Sequence, residues 1–214
     1  MHSATAPSVQ QSFTVEDVQE PRDPLRTVGI PRLDQEATPE LFAELYRISR
    51  RVREAGRTVV GLMPAGPDVA VIPFAVELAF ALADACEGVV AVVDANPRCP
   101  ALRSVRTEKA QRSKKSGFRT TWLEPFLAII SPVETSNAMR LDGLDYLLTR
   151  ETQGFAHMLV DLTGFEAAGE HWGVFDLIDG VLLVGHPGVS EERELLRIRD
   201  DIPVDKFLGV VLVG

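Results

Sequence analysis

Cysteine, aromatic residues, positive charge and long apolar runs are all scarce in this 214-residue chain. Two cysteines, Cys86 and Cys99, form no close pair. That excludes a disulfide-stapled framework. With no signal-peptide pattern, it leads us to expect reduced thiols in the cytoplasm. No apolar run approaches the roughly 20 residues of a membrane span. The longest candidates are interrupted by Pro64, Asp68, Glu77 and Asp84, so a place at the inner face of the membrane would require a partner. Lys and Arg number 22 against 31 Asp and Glu, a net charge of −9, which argues against indiscriminate binding to nucleic acid or anionic membrane. His157, His171 and His186 are dispersed and lack metal-ligand spacing.

What is present suits a globular α/β chain. Hydrophobic residues make up 45% and charged residues 25%, enough to build a sizeable core. Residues 1–36 are rich in Pro, Ser, Gln and acids without periodicity, and read as a flexible N-terminal tail. Residues 37–214 read as a single domain. Its first helix is TPELFAELYRISRRVREAG, with Thr38 as N-cap, Pro39 at the first helical position and Gly56 as the stop. Apolar strands are expected at 58–63, 88–94, 126–131, 156–162, 180–185 and 207–213. Helices are expected at 72–86, 138–152 and 190–200. Continuous Val/Leu/Ile runs indicate strands covered on both faces. Strand–helix alternation indicates parallel right-handed crossovers. The expectation is a three-layer α/β/α sandwich with a mostly parallel central sheet.

One segment breaks the acidic balance. Residues 103–119, RSVRTEKAQRSKKSGFR, carry about +6, leaving about −15 on the rest. The segment reads as a loop or frayed helix. Arg112, Lys114, Lys115 and Arg119 are candidates for an anionic-partner patch. No interleaved aromatics accompany them, so nucleic acid is not the expected partner.

Residues 58–80, TVVGLMPAGPDVAVIPFAVELAF, lay out a strand, a Pro/Gly loop and a helix. Two other apolar strands end in carboxylates: Asp94 in VVDANPRCP and Asp161 in LVDLTGF. In a parallel sheet, ligands bind beyond the carboxyl ends of the strands. Together these features resemble the bacterial tyrosine kinases of capsule and exopolysaccharide synthesis. Those kinases belong to the deviant-Walker P-loop NTPase class that also holds the ParA/MinD ATPases. The family's phosphate loop, approximately GVTSALPGEGKST, lies without a gap over GLMPAGPDVAVIP. VVDANPRCPAL resembles its second carboxylate motif and FLGVVLVG its GVVLNG strand. Glu44, Arg47 and Arg50 match its E-x-x-R-x-x-R element, which the resemblance assigns to an oligomer contact between copies. As residues alone, they read as a solvated helix face with an ion pair.

Set on the family's loop, this sequence has lost its chemistry. The lysine falls on Val71 and the Mg²⁺-binding hydroxyl on Ile72. The next position is Pro73, which has no N–H. Loop glycines fall on Asp68 and Ala70. Residues 58–70 contain no Lys or Arg, and the tyrosines, Tyr46 and Tyr146, form no cluster. Gly61, Gly66, Asp68, Val71, Ile72, Pro73, Asp94 and Asp161 are therefore expected to outline a vestigial pocket, with ATP and Mg²⁺ not expected as cofactors and no catalytic residues. The implied role is a scaffold or regulator beside a polysaccharide co-polymerase membrane protein, with a homo-oligomer as a further possibility. The alternative is a ParA/MinD-like positioning ATPase with an atypical site.

Overall fold

The computed structural model of the chain describes residues 23–30, 38–96, 98–107, 110–133, 141–165 and 171–214, without the side chains of Thr27, His171 and Trp172. The elements are α1 (Pro39–Glu54), β1 (Val59–Pro64), α2 (Val71–Cys86), β2 (Val90–Asp94), β3 (Ala110–Arg112), β4 (Phe118–Glu124), β5 (Leu127–Pro132), α3 (Leu141–Arg150), β6 (His157–Asp161), α4 (His171–Phe175), β7 (Gly180–Gly185), α5 (Glu192–Asp201) and β8 (Phe207–Leu212). The strands form one sheet in the order β3-β4-β5-β2-β6-β1-β7-β8. The six from β5 to β8 pair in parallel, and β4 and β3 add on antiparallel.

Both faces of the sheet are covered, as continuous apolar strands require. Along β1, Val60 and Leu62 join a core with Leu45 and Val52 of α1 and most of α2. Val59 and Met63 join a second core with Leu144 and Leu147 of α3, Val174 of α4 and Ile198 of α5. Alternating side chains serve opposite faces, and each fully buried Val or Leu contributes about 2 kcal/mol. The result is the expected three-layer α/β/α architecture, with a mostly parallel sheet flanked by helices.

The helix boundaries follow local chemistry. Leu41 N donates to Thr38 Oγ1 at 3.3 Å, capping α1 one residue before Pro39. Gly56 takes φ +65° just past the end of α1, a left-handed turn that glycine adopts without strain. His157 is a core histidine, its Nδ1 2.9 Å from Arg57 O; burial holds its pKa below the ordinary value.

Three expectations need correction. The basic segment is neither loop nor helix throughout: residues 110–124 build a β3–β4 hairpin on the sheet. β8 is an edge strand rather than a strand covered on both faces, and leaves Val210 and Leu212 48% and 59% exposed. Part of the supposed tail is also structured. Residues 26–28 form a 3-10 turn, and Leu25 and Ile30 are buried in the α1–α2 core. Residues 1–22 and 31–36 lie outside the described residues, as do positions 138–140 of the third expected helix.

Candidate functional site

The parallel strands place the loops after β1, β2 and β6 at one edge of the sheet. After β1 the chain turns through Gly66, whose φ of +128° is left-handed backbone that favours glycine. Asp68 in this loop is exposed. Gly61 is not part of the pocket. It lies inside β1, where a Cβ would come within 2.7 Å of Ile178 Cδ1 and Leu162 Cδ1, so its role is close packing.

At the head of α2 the side chains turn inward. Val71 and Ile72 are 2% and 5% exposed and belong to the α1–α2 core. The N-cap, Ala70, offers no side-chain bond, and Pro73 brings no N–H. From Thr58 to Pro97 the chain holds no Lys or Arg.

Asp94 and Asp161 end neighbouring strands and face each other in register. Both are buried, and both are held by their own loops. Asp94 accepts from Leu102 N at 2.7 Å and from Asn96 N at 3.3 Å. Asp161 accepts from Thr163 N at 2.9 Å and Thr163 Oγ1 at 2.5 Å. Burial pushes the Asp94 carboxyl up to about 7, against the backbone bond from Leu102 and with help from the charge of Asp161. Burial likewise raises Asp161 to about 6, partly offset by Thr163. Desolvation disfavours the ionised form of each.

A magnesium-bound triphosphate needs cationic charge, a hydroxyl ligand and open donors at the helix start. Here the first two positions are aliphatic and buried, the third lacks a donor, and the strand-end carboxylates are engaged by their own loops. These residues do not fit that group. No group of three or more potential metal ligands exists among the described residues.

The other residues singled out in the sequence lie elsewhere. On α1, Glu44 pairs with Arg47 at 2.6 Å, while Arg50 turns to Glu54 at 3.4 Å. Glu44 and Arg47 border a cavity of about 340 Å³ beside β8. Arg112 of β3 and Arg119 of β4 stand opposite each other in the hairpin, and Lys114 and Lys115 occupy its turn. Lys115 Nζ lies 5.6 Å from the centre of the Tyr146 ring. Ser113 and Ser116 donate to Glu151, at 2.5 and 3.0 Å, and tie the turn to the residue after α3. Sequence reasoning did not foresee an apolar groove of about 580 Å³ between α1, α2 and the starts of β2 and β5, lined by Phe42, Tyr46, Phe80 and Phe126 among others. The i, i+4 pair Phe42 and Tyr46 was the signal for it. No helix among the described residues is long and apolar enough to cross a membrane.

No protein-family model matches the chain, and no curated protein matches it. Solved structures do. The kinase domain of the Escherichia coli tyrosine kinase ETK superposes with a TM-score of 0.59 at 17% identity, over 91% of this chain and 94% of that one. The BceF tyrosine kinase domain gives 0.58 at 17%, over 93% and 99%. A ParA family ATPase from Chlorobium tepidum gives 0.57 at 16%, over 72% and 73%. The chain therefore has the fold of P-loop NTPase kinase domains.

Proposed function

We propose that the chain is a non-catalytic relative of the exopolysaccharide and capsule tyrosine kinases, and that it works as a scaffold or regulator of surface-polysaccharide synthesis and export. Its partner in this reading is the cytoplasmic end of a polysaccharide co-polymerase membrane protein. The observation that carries it is Val71. The residue aligned with the phosphate-binding lysine is a core side chain, and restoring a cation there would bury the charge. Asp94 and Asp161 support the same reading, because both sit in surroundings that favour their neutral forms. The fold would then supply surfaces without a nucleotide cycle to change them.

Calorimetric titration with ATP and Mg²⁺ tests this directly. We expect no binding heat, and micromolar affinity or autophosphorylation would sink the reading. A second test works in the cell. An Asp94→Asn/Asp161→Asn double variant should support polysaccharide export as the unaltered chain does. A folded double variant that abolishes export would require chemistry at this edge. The likeness to a ParA family ATPase keeps a positioning ATPase as the rival, which predicts a doubling of mass in light scattering when ATP is added. Our reading expects no change.

A further inference from the structure

Among the described residues, the exposed aromatic side chains are Phe42, Tyr46 and Phe126, at 40%, 43% and 41%. All three line the apolar groove of about 580 Å³ between α1, α2 and the starts of β2 and β5. The walls of the groove are held in place. Phe80 and Phe126 meet edge to face, with ring centres 6.2 Å apart. The Tyr46 hydroxyl donates to Asp84 Oδ2 and ties α1 to α2. Glu77 and Phe80 also line the groove and are already engaged, so the open surface is that of Phe42, Tyr46 and Phe126. Exposed rings gathered around one concavity mark a surface that another segment covers.

The first residues of the chain are placed to supply that segment. The described backbone starts at Asp23. Just beyond it, Leu25 and Ile30 are buried in the same core as Leu45, Ala81 and Ala83 of the groove. Residues 1–22 hold a single aromatic, Phe13, within SFTVEDVQE at 12–20. There Phe13 and Val15 alternate with polar residues, and Glu16, Asp17 and Glu20 follow. Helix α1 offers a counterpart to each half. Phe42 and Tyr46 are spaced i, i+4, and the exposed Arg50 and Arg53 continue their row toward the helix end. Arg50 meets Glu54 at 3.4 Å, an exposed pair open to exchange. Asp84 and Glu87 line the groove from the α2 side, which leaves the α1 side to the acidic run. Reach is not limiting. From Phe13 to Asp23 the chain spans up to about 35 Å, whereas the 16 residues of α1 measure about 24 Å.

We propose that residues 12–20 dock on this groove in the same molecule, with Phe13 seated among Phe42, Tyr46 and Phe126 and the acidic run along Arg50 and Arg53. The tether presents the segment at an effective concentration of about a millimolar, so a weak contact suffices to keep the groove closed. A partner that uses the same aromatic surface must first displace the segment. The groove contains no residue of the β1–α2 loop, so the inference does not rest on the scaffold reading.

The neutral apolar dye Nile red, titrated into the full chain and into its Phe13→Ser variant, tests this. An occupied groove weakens dye binding by the fraction of molecules left open, so we expect Phe13→Ser to tighten it at least about fivefold. A synthetic peptide of residues 8–22 should reverse the gain, and the same peptide carrying Phe13→Ser should not. Glu16→Gln/Asp17→Gln should tighten dye binding less, with the difference fading as salt screens the charges. Adding Phe42→Ser to the Phe13→Ser variant should remove the dye site. The proposal is overturned if Phe13→Ser leaves dye affinity unchanged, or if the gained dye site survives Phe42→Ser, which would place it outside the groove. It is also overturned if the difference between the two proteins grows with protein concentration, because the segment would then be covering a second copy.

Discussion

Two neighbouring regions of the same sheet edge have gone opposite ways. From Thr58 to Pro97 there is no lysine or arginine, and from Arg98 to Arg119 there are eight. The first region has the strand–loop–helix layout of a phosphate site, yet its helix start is aliphatic and buried. The second is an antiparallel addition to a parallel sheet, and there the cations crowd together. The contrast shows that backbone layout and charge are separable. The β1–α2 unit keeps a strand–loop–helix layout without cations, while the edge hairpin collects cations without that layout. The largest test of this contrast is Val71→Lys. If the β1–α2 unit is now purely a packing unit, the substitution buries an ammonium in the core and costs about 4 kcal/mol of stability, measured by urea unfolding. It should bring no affinity for ATP. A folded Val71→Lys protein that binds ATP would break the comparison.

The next effect concerns the carboxylates between the two regions. The folded-state pKa values of Asp94 and Asp161, about 7 and about 6, lie above the ordinary value of 3.8. Between those limits the native state binds more protons than the unfolded state, so stability falls as pH rises from about 4 to about 7. For Asp94 the cost at pH 8 relative to pH 4 is about 4 kcal/mol. Asp94→Asn removes the ionisation while keeping a carbonyl for Leu102 N. We expect the variant's unfolding midpoint to change far less across that range, and to exceed the unaltered protein's at pH 8. An unchanged pH profile would mean that the carboxylate is stabilised as an anion, and would weaken the contrast with a working phosphate site.

How much of this was legible in the sequence depends on how the signal is carried. The six parallel strands were readable because burial on both faces demands uninterrupted runs such as Val90–Asp94 and Leu127–Pro132. β8 misled for the same reason. Phe207–Leu212 is as apolar as a central strand, but Val210 and Leu212 are exposed at the sheet edge. The hairpin was missed because Ala110, Gln111 and Arg112 are all exposed and present no apolar pattern. Leu25 and Ile30 were missed because two isolated apolar residues carry no period. At the site, Asp94 and Asp161 were placeable as strand ends. The bond from Leu102 N to Asp94 was not, since it depends on how the loop folds back eight residues later. The opposition of Arg112 and Arg119 is a property of strand register, which charge counting does not supply.

Within the cationic region, the strand-register repulsion should be measurable without any ligand. Arg112→Thr replaces one of two opposed guanidinium groups with a β-branched residue suited to a strand. We expect about 0.5 kcal/mol of added stability at low ionic strength, fading as salt screens the repulsion. Thermal unfolding at two salt concentrations checks it. A loss of stability that is independent of salt would mean that Arg112 is retained for its packing.

The smallest effect belongs to α1, which lies outside both regions. Glu44 and Arg47 form an exposed i, i+3 pair at 2.6 Å, and Arg50 pairs with Glu54. Exposed pairs of this kind contribute little, because solvent screens them and the side chains lose freedom. Glu44→Gln/Arg47→Gln should therefore shift unfolding by less than about 0.5 kcal/mol, whatever the protein concentration. The cavity beside β8 gives the same residues a second possible use, as a contact between copies of the chain. In that case the variant would lose more stability as protein concentration rises, because association stabilises the folded state by mass action. Unfolding at two protein concentrations separates the intrahelical pair from the intermolecular contact.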